Sequence, residues 1–439
     1  MDNLDYIKKE CLKKGADDVV VEENSTNENL IKFVNNKIVN IQKIDSIDIG
    51  VFISTKKKIV MASIKDPKKE VIDKTINDIF SFSKFIESNN EYFGIASGPF
   101  KFKRIKDLYD KKIQNLNELG IKMVKDAIDN SKIKGIERSS GVMEWDTTKR
   151  RIVTSGNVDH NFLSTSIYFS IRSFADKLAS GAQTCCSNVL KKLDYLETSK
   201  KAAEIAVLAK NPKRINQGRY DILLGYLPAA NLLNHFVSNA SAFEVKRGNS
   251  FFKGKIGKNV ASQKLTISDE GNLANGYSST EFDDEGMPTR KNIIVKKGIL
   301  KTYLHNTNTA HLFKTKSTAN AGLVSPKISN IVIESGNIKD QLSKIDNGLY
   351  VTNNWYTRFQ NYLTGEFSTV PRDGIFLIKN GEIAGSIKEI RISDNLLRIM
   401  KNVVWLGKER KQVYSWEVET PTLTPEFFVK DVNITQSFR

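Results

Sequence analysis

The sequence is poor in the residues that build disulfide frameworks, zinc knuckles and membrane spans. It holds three cysteines in 439 residues, Cys11 and the adjacent Cys185 and Cys186. With no even, spaced set and no C-x-x-C, a disulfide scaffold and a finger-type zinc are excluded, and a reducing compartment fits. Adjacent cysteines on an alternating strand face opposite sides, so thiols are expected there. No stretch approaches the roughly 18 consecutive apolar residues of a membrane helix. The opening "MDNLDYIKKECLKKGADD" is acidic from its second residue and has no apolar core like that of a secretion signal, so a cytoplasmic protein is expected. No low-complexity segment and no repeat of fixed period occurs.

What is present is ordinary globular material: 40% hydrophobic and 27% charged residues, enough chain for two or three domains. The formal charge of +17 would favour nucleic acid if the lysines were clustered. They are instead spread along the chain with acids close by, and neither an RNP-type motif nor a basic tail accompanies them. A basic nucleic-acid-binding module therefore stands only as a distant alternative.

Hydrophobic periodicity predicts an α+β chain. An N-terminal helix-and-antiparallel-sheet domain is followed by a β-rich C-terminal domain with a few helices. A helix over 1–15 precedes the strand "DDVVVEEN", then a hairpin turning at Asn35 and Asn36 and another through Thr55 to Lys58. Helices are predicted over 71–86, 106–130 and "ETSKKAAEIAVLAK", with three or four antiparallel strands between the last two. The expected boundaries are an N-terminal module at 1–92, a central module at 104–215 packing on it, and a C-terminal domain at 218–439. "VKKGIL", "IKNGEI" and "SDNLL" read as turns in that last domain.

The stretch "AANLLNHFVSNASAFEVKRGNSF" places Ala229, Leu232, Leu233, Phe236, Val237 and Ala240 on one apolar helical face. His235 lies on the other, beside Asn231, Asn234 and Ser238, and is expected to face solvent or an interface. A catalytic zinc needs three protein ligands and a nearby carboxylate base, and this helix supplies one candidate. An atypical metal site would have to recruit Glu244, His305, His311 or the cluster Asp283, Asp284 and Glu285. That cluster can be read as metal ligands or an acid and base pair. Ending in Gly286 with Pro288 beyond, it also has the chemistry of a tight turn, which is the preferred reading. Tyr356, Arg358, Asn361, Arg372 and Asp373 form a set suited to gripping a peptide's backbone or carboxylate, or equally an arginine-to-carboxylate clasp within the domain. Ser317 and Thr318 lack a neighbouring His and acid pair in sequence, so a nucleophile there is not expected.

"RGNSFFKGKIGKNVAS", "FDDEGMPTRKNIIVKKGILKTYLHNTNTAHLFKTKSTANAG", "TGEFS" and "GIFLIKNGEIAGSIKEIRISDNLL" resemble the TldD/PmbA family. "GADDVVVEENSTNENLIKFVNNKIVNIQK" extends the resemblance to the N-terminal half. Membership implies a TldD and TldE (PmbA) pair acting as a zinc-dependent peptidase on unfolded or extended peptides. Only TldD carries the metal, in an HExxxH motif with a late cysteine as further ligand. Counted back from "RGNS", the family's histidines fall on Leu233 and Ser238 and its glutamate on Asn234. None of these three can serve, and the tail after Val403 has no cysteine, with Ser415 or a neighbour near that place. The resemblance therefore implies a metal-free TldE/PmbA-like subunit, with zinc in a TldD-type partner. A homodimer, or a stand-alone metallopeptidase built on His235 and the Asp283 cluster, remains the alternative. The segment "NNWYTRFQNYLTGEFSTVPRDG" departs from the bacterial pattern in length and aromatic content.

Overall fold

The computed structural model describes residues 2–436. Helix α1 (Asn3–Lys13) starts where Asp2 accepts hydrogen bonds from the Leu4 and Asp5 backbone N–H groups, at 2.9 and 3.2 Å. It buries Leu4, Ile7 and Cys11, spaced to one face. Strands β1 (Asp18–Val34), β2 (Lys37–Thr55) and β3 (Lys58–Ile64) follow, joined by two-residue turns at Asn35-Asn36 and Lys56-Lys57, all four with positive φ. After α2 (Lys69–Ser83), a long irregular segment leads to α3 (Lys111–Gln114) and α4 (Asn117–Ser131). The single helix expected over 106–130 is thus two. Asp110 caps the first, accepting from Lys112 N–H at 2.9 Å, and Asn117 takes a φ of 38° at the start of the second.

Strands β4 (Arg138–Thr154), β5 (Val158–Phe174) and β6 (Ser180–Ser187) and helix α5 (Tyr195–Leu208) complete this half. The sheet order is β3-β2-β1-β4-β5-β6, antiparallel throughout. Because β1 pairs with β4 from Val20 to Phe33, residues 1–92 and 104–215 share one sheet; they join strand to strand and not face to face. One face is covered at one end by α1 and α2 and at the other by α4 and α5. Gly120 allows α4 to approach closely, since a Cβ there would lie 2.8 Å from the Trp145 ring.

The C-terminal half runs through β7 (Gly218–Leu224), α6 (Tyr226–Ser238), α7 (Ala242–Arg247), β8 (Ile267–Glu270), β9 (Lys291–Lys296) and β10 (Ile299–Leu300). Then come α8 (Thr307–Leu312), β11 (Ile331–Ile333), β12 (Asn347–Asn361), β13 (Glu366–Lys379), β14 (Glu382–Ser386) and β15 (Ile390–Asn395). Helix α9 (Leu396–Lys401) and strands β16 (Val403–Leu406), β17 (Lys411–Ser415), β18 (Val418–Thr424) and β19 (Phe427–Gln436) end it. "SDNLL", expected as a turn, starts a helix: Asn395 caps α9 by accepting from Arg398 N–H at 3.1 Å. "VKKGIL" and "IKNGEI" do turn, at Lys297-Gly298 and Asn380-Gly381.

One sheet has the order β10-β9-β8-β11-β18-β17, the other β12-β7-β19-β15-β13-β14. Since β12 also pairs along β13, five strands of the latter close into a ring. The largest apolar cluster lies between the two sheets and takes in the apolar face of α6. This α+β architecture matches the expected class. Among the described residues no helix is long and apolar enough to cross a membrane.

The two halves meet on the face of the first sheet opposite its helices. Phe282 is fully buried there among Val20, Phe52, Ile152, Val158 and Phe162. Arg150 reaches Glu22 through Nε at 2.9 Å and Thr280 Oγ1 at 2.9 Å, tying the same seam. Phe282→Ala should cost about 3–5 kcal/mol through lost burial and the cavity left behind. The expected outcome is a clear fall in thermal midpoint, against almost none for Phe85→Ala, whose ring is 85% exposed.

Candidate functional site

Helix α6 begins where Gly225 passes β12 so closely that a Cβ would lie 3.1 Å from the Val351 carbonyl. Pro228 sits in its first turn, where a missing N–H costs nothing. Ala229, Leu232, Leu233, Phe236, Val237 and Ala240 are all buried, as the periodicity predicts.

The opposite face is not the solvent face expected of it. Asn231 is 1% exposed; its Nδ2 donates to the Glu417 carbonyl at 2.6 Å, and its Oδ1 accepts from Asn354 Nδ2 at 2.8 Å and Thr357 Oγ1 at 2.7 Å. Thr369 Oγ1 joins this set, 2.8 Å from both Asn354 Nδ2 and Thr357 Oγ1. Asn234 grips β18 as a neighbouring strand would. Its Nδ2 donates to the Thr420 carbonyl at 3.0 Å and Thr422 Oγ1 at 2.8 Å, and its Oδ1 accepts from Thr420 N–H at 2.8 Å. His235 is half-buried, its ring 5.4 Å from that of Phe359. Burial, and then the charge of Arg358, push its pKa down to about 4, so it is neutral at pH 7. Of this face only Ser238 is exposed, its hydroxyl donating to the His235 carbonyl at 3.0 Å.

These placements bear on the three positions where the family's motif is expected. Leu233 is fully buried in the apolar cluster, Asn234 has both polar atoms occupied by β18, and Ser238 faces outward. Five residues along an α-helix amount to about 140° of rotation, so Leu233 and Ser238 point to different sides. Ser415, at the end of β17 opposite Val418, is buried. A leucine, a committed amide and a serine bonded to its own helix do not fit a zinc ion. Among the described residues no three His, Cys, Asp or Glu side chains gather in a way that could hold a metal.

Over the amide network lies an aromatic rim. The register of β12 on β13 slips between Trp355 and Arg358, and Tyr356 takes a left-handed φ of 57°. This bulge turns Thr357 inward to Asn231 and leaves Tyr356 45% exposed. The β17–β18 turn brings Trp416, 58% exposed, with ring centroids 5.3 Å from Trp355 and 5.9 Å from Tyr356. Glu417 fixes the turn, its carboxylate accepting from Tyr356 N–H at 2.8 Å while its carbonyl holds Asn231. The guanidinium of Arg372 lies 4.8 Å from Trp355 and 5.7 Å from Tyr356, and that of Arg358 lies 6.0 Å from Tyr356.

Tyr356, Arg358 and Arg372 thus come together. Asp373 lies beneath them with a fully buried carboxylate, paired with Arg172 Nε at 2.7 Å and bonded by Ser180 and Asn353, each at 2.7 Å. The arginine on Asp373 comes from outside the C-terminal domain: it is Arg172 from β5, so this clasp joins the two halves. Asn361 is elsewhere: its Oδ1 accepts from Leu363 and Thr364 N–H groups in the β12–β13 turn. Beside the rim, a cleft of about 240 Å³ is lined by Arg172, Lys177, Pro371, Arg372 and Lys388. Trp355, Trp416, Glu417 and Arg172 went unmarked in the sequence, although "YSWEVE" placed a tryptophan at the turn where the late ligand was sought.

The remaining candidates are dispersed. Asp283 folds its own turn, accepting from Glu285, Met287 and Ala321 N–H groups at 3.1, 2.9 and 2.9 Å. Burial pushes its pKa up to about 7 and that of Glu285 up to about 8. Glu285 accepts from the Thr307 hydroxyl and N–H at the start of α8, and Asp284 pairs with Lys327. All three act as connectors, to the 283–287 turn, to α8 and to Lys327. His160 pairs with Glu281 at 2.7 Å, His311 stacks on Phe93, and His305 is buried against Phe313 and Tyr303. Glu244 bonds Asn249. Ser317 and Thr318 donate to the His305 carbonyl at 3.2 and 3.1 Å and touch no imidazole nitrogen. Cys185 packs toward the helices and Cys186 toward the Gln412 carbonyl, both as thiols.

The depressed pKa of His235 has a sign that can be measured. Its folded-state value lies below the unfolded value near 6.5, so protonation favours unfolding. Stability from this residue is full above about pH 6.5 and is lost as pH falls towards 4, by up to roughly 3 kcal/mol. His235→Gln should therefore flatten the fall in unfolding free energy between pH 6.5 and 4.5 while leaving it nearly parallel to wild type at pH 7 to 8. An unchanged slope would refute the burial argument.

Comparison with known proteins agrees with this architecture. Residues 217–436 match the model of the PmbA/TldA metallopeptidase C-terminal domain. A metalloprotease TldD homolog of Buchnera aphidicola is 32% identical over 222 residues, covering 48% of this chain and 46% of its own. Metalloprotease PmbA of Escherichia coli is 29% identical over 201 residues, covering 45% and 44%. The matched region thus spans under half the length of these relatives. The crystal structure of TldE from Thermococcus kodakarensis superposes with a TM-score of 0.89 at 18% identity, covering 99% of this chain and 100% of that one, which shows a shared fold. The matched domain takes in α6, the amide network and the aromatic rim, and on that evidence the chain belongs to the PmbA/TldD family.

Proposed function

We propose that this chain is a TldE/PmbA-like, non-catalytic subunit that pairs with a zinc-bearing TldD-type subunit and helps present unfolded or extended peptides to the partner's metal. The observation that carries this reading is Asn234: at the place of the family's base stands an amide whose nitrogen and oxygen both bond β18, the nitrogen also bonding the Ala230 carbonyl. A carboxylate is needed to take a proton from a metal-bound water, and an amide cannot do so at pH 7. Leu233 in the core and exposed Ser238 support it further. The three thiols are compatible with a cytoplasmic setting.

The contribution left to this chain is positioning. Exposed Tyr356 and Trp416 offer flat apolar faces, and Arg372 and Arg358 offer guanidinium groups beside them. Such a set holds an extended backbone by stacking and its carboxylates by charge-assisted hydrogen bonds. Asp373 and Arg172 serve as the foundation of this face; their charges are spent on each other.

The direct experiment is co-expression with an HExxxH-bearing homologue, followed by co-purification, zinc analysis and cleavage of an unstructured peptide. The expected outcome is a complex that holds zinc and cleaves, with neither zinc nor activity in this chain alone; stoichiometric zinc and cleavage by the isolated chain would overturn the reading. In the complex, Trp416→Ala should raise KM about tenfold, equivalent to about 1.4 kcal/mol of lost contact, with zinc content unchanged. An unaltered KM would remove the rim from peptide binding while leaving the pairing intact.

A further inference from the structure

The cleft beside the rim lies where the β5–β6 turn of the first half meets β13 and the β14–β15 connection of the second. Its walls are tied down. Lys213 N–H donates to the Ser386 carbonyl at 2.9 Å, Lys388 N–H to the Lys213 carbonyl at 3.1 Å and Ile387 N–H to the Ile375 carbonyl at 2.8 Å. Asp176 Oδ1 accepts from the Leu178 and Ala179 N–H groups, each at 2.7 Å, and so fixes the facing turn. Asp373 and Glu389 hold left-handed φ values of 60° and 62°, a conformation that persists in such residues only where the surroundings impose it. The space of about 240 Å³ falls below the roughly 300–1,000 Å³ of a pocket for a drug-sized ligand. It is a rigid recess on the scale of a single amino-acid residue.

The charged groups around it are unevenly engaged. Each lining carboxylate has partners: Asp176 in its turn, Asp373 on Arg172, Ser180 and Asn353, and Glu389 on Arg214. Lys177 has no bond or ion pair among the described residues. Lys388 Nζ comes only to 3.7 Å from Glu389, whose other carboxylate oxygen holds Arg214. Arg172 pairs through Nε with Asp373 and donates from Nη2 to Ser180 Oγ at 3.2 Å, which leaves Nη1 with donors and no acceptor among the described residues. A carboxylate entering the recess therefore meets two ammonium groups and a guanidinium edge. Apolar surface lies beside them: Phe174, its ring 3.9 Å from the Arg138 guanidinium, and Leu178, 65% exposed. A carboxylate joined to a short apolar side chain is the chemistry of a peptide's last residue. An aspartate or glutamate side chain brings the same anion but leaves that apolar surface uncovered.

The rim stands within reach. The Arg172 guanidinium lies 4.8 Å from the Trp355 ring, and Trp355 lies 5.3 Å from Trp416, so recess and outermost ring are at most about 10 Å apart, three residues of extended chain. We infer that the recess takes the C-terminal residue of an extended peptide, its α-carboxylate at Lys177 and Lys388 and its side chain against Phe174 and Leu178, while the preceding residues cross the rim. This rests on the peptide-holding role proposed above and adds to it a direction: the chain of the peptide ends on this subunit.

The test is fluorescence anisotropy of the full-length chain with a short unstructured peptide, labelled with rhodamine at its N-terminus and free of acidic side chains. The free acid should bind about tenfold more tightly than the C-terminal amide of the same sequence, the scale of one lost charge-assisted contact. Lys177→Gln combined with Lys388→Gln should bring the acid down to the amide and leave the amide unchanged. Lys177 is exposed and the Lys388 side chain is 35% exposed, so these changes spare the fold. Trp416→Ala should weaken both peptides alike. Equal binding of acid and amide, with both still sensitive to Trp416→Ala, would overturn the inference and leave the role of the rim intact; if neither peptide bound, both would fall. A preference for the acid that survives the two lysine substitutions would also overturn it. So would an amide ending in glutamate that binds as tightly as the free acid, because any carboxylate would then serve.

Discussion

Two side-chain amides one helical turn apart hold the C-terminal half together. Asn231 and Asn234 reach from α6 into β12, β18 and the β17–β18 turn, binding residues 123 and 186 positions away in the chain. A buried amide left without partners costs about 1–3 kcal/mol for each group, so neither strand can shift against the helix without breaking several bonds. The exposed features inherit that fixity. Trp416 stands where it does because the Glu417 carbonyl is held by Asn231, and Tyr356 points outward because Thr357 is drawn in.

The same logic of spent charge applies to several arginines of this chain of net charge +17. Arg172 is committed to Asp373, and its guanidinium and that of Arg372 lie against Trp355. Arg150, on the other seam, is committed to Glu22. Cations used in this way organise aromatic rings and strand crossings and contribute little to long-range attraction.

Local patterns were legible in the sequence; distant partnerships were not. The hairpins at Asn35-Asn36 and Lys56-Lys57, the buried face of α6 and the turn at Asp283 all follow from residues within a few positions of one another. Burial of Asn231 and Asn234 does not: helical periodicity assigns a polar residue to the outer face unless something far along the chain returns to cover it. The clasp on Asp373 shows the same limit. Arg372 was the nearest arginine in sequence, but strand geometry sends adjacent side chains to opposite faces, and Arg172 came across from another sheet. "SDNLL" misled for a different reason, since an asparagine that ends a strand in a turn also caps a helix by the same side-chain bond.

The grip of Asn234 on β18 bears on descent as well as on form. An ionised glutamate at that position accepts hydrogen bonds but donates none, so placing one there would take from the Thr420 carbonyl and the Thr422 hydroxyl the donor they share and leave them only the bond between them. A histidine at Leu233 would put an imidazole into the largest apolar cluster. Each of these changes is unfavourable alone. A helix whose amide clasps a strand is held to that role, as a ratchet is held by its pawl.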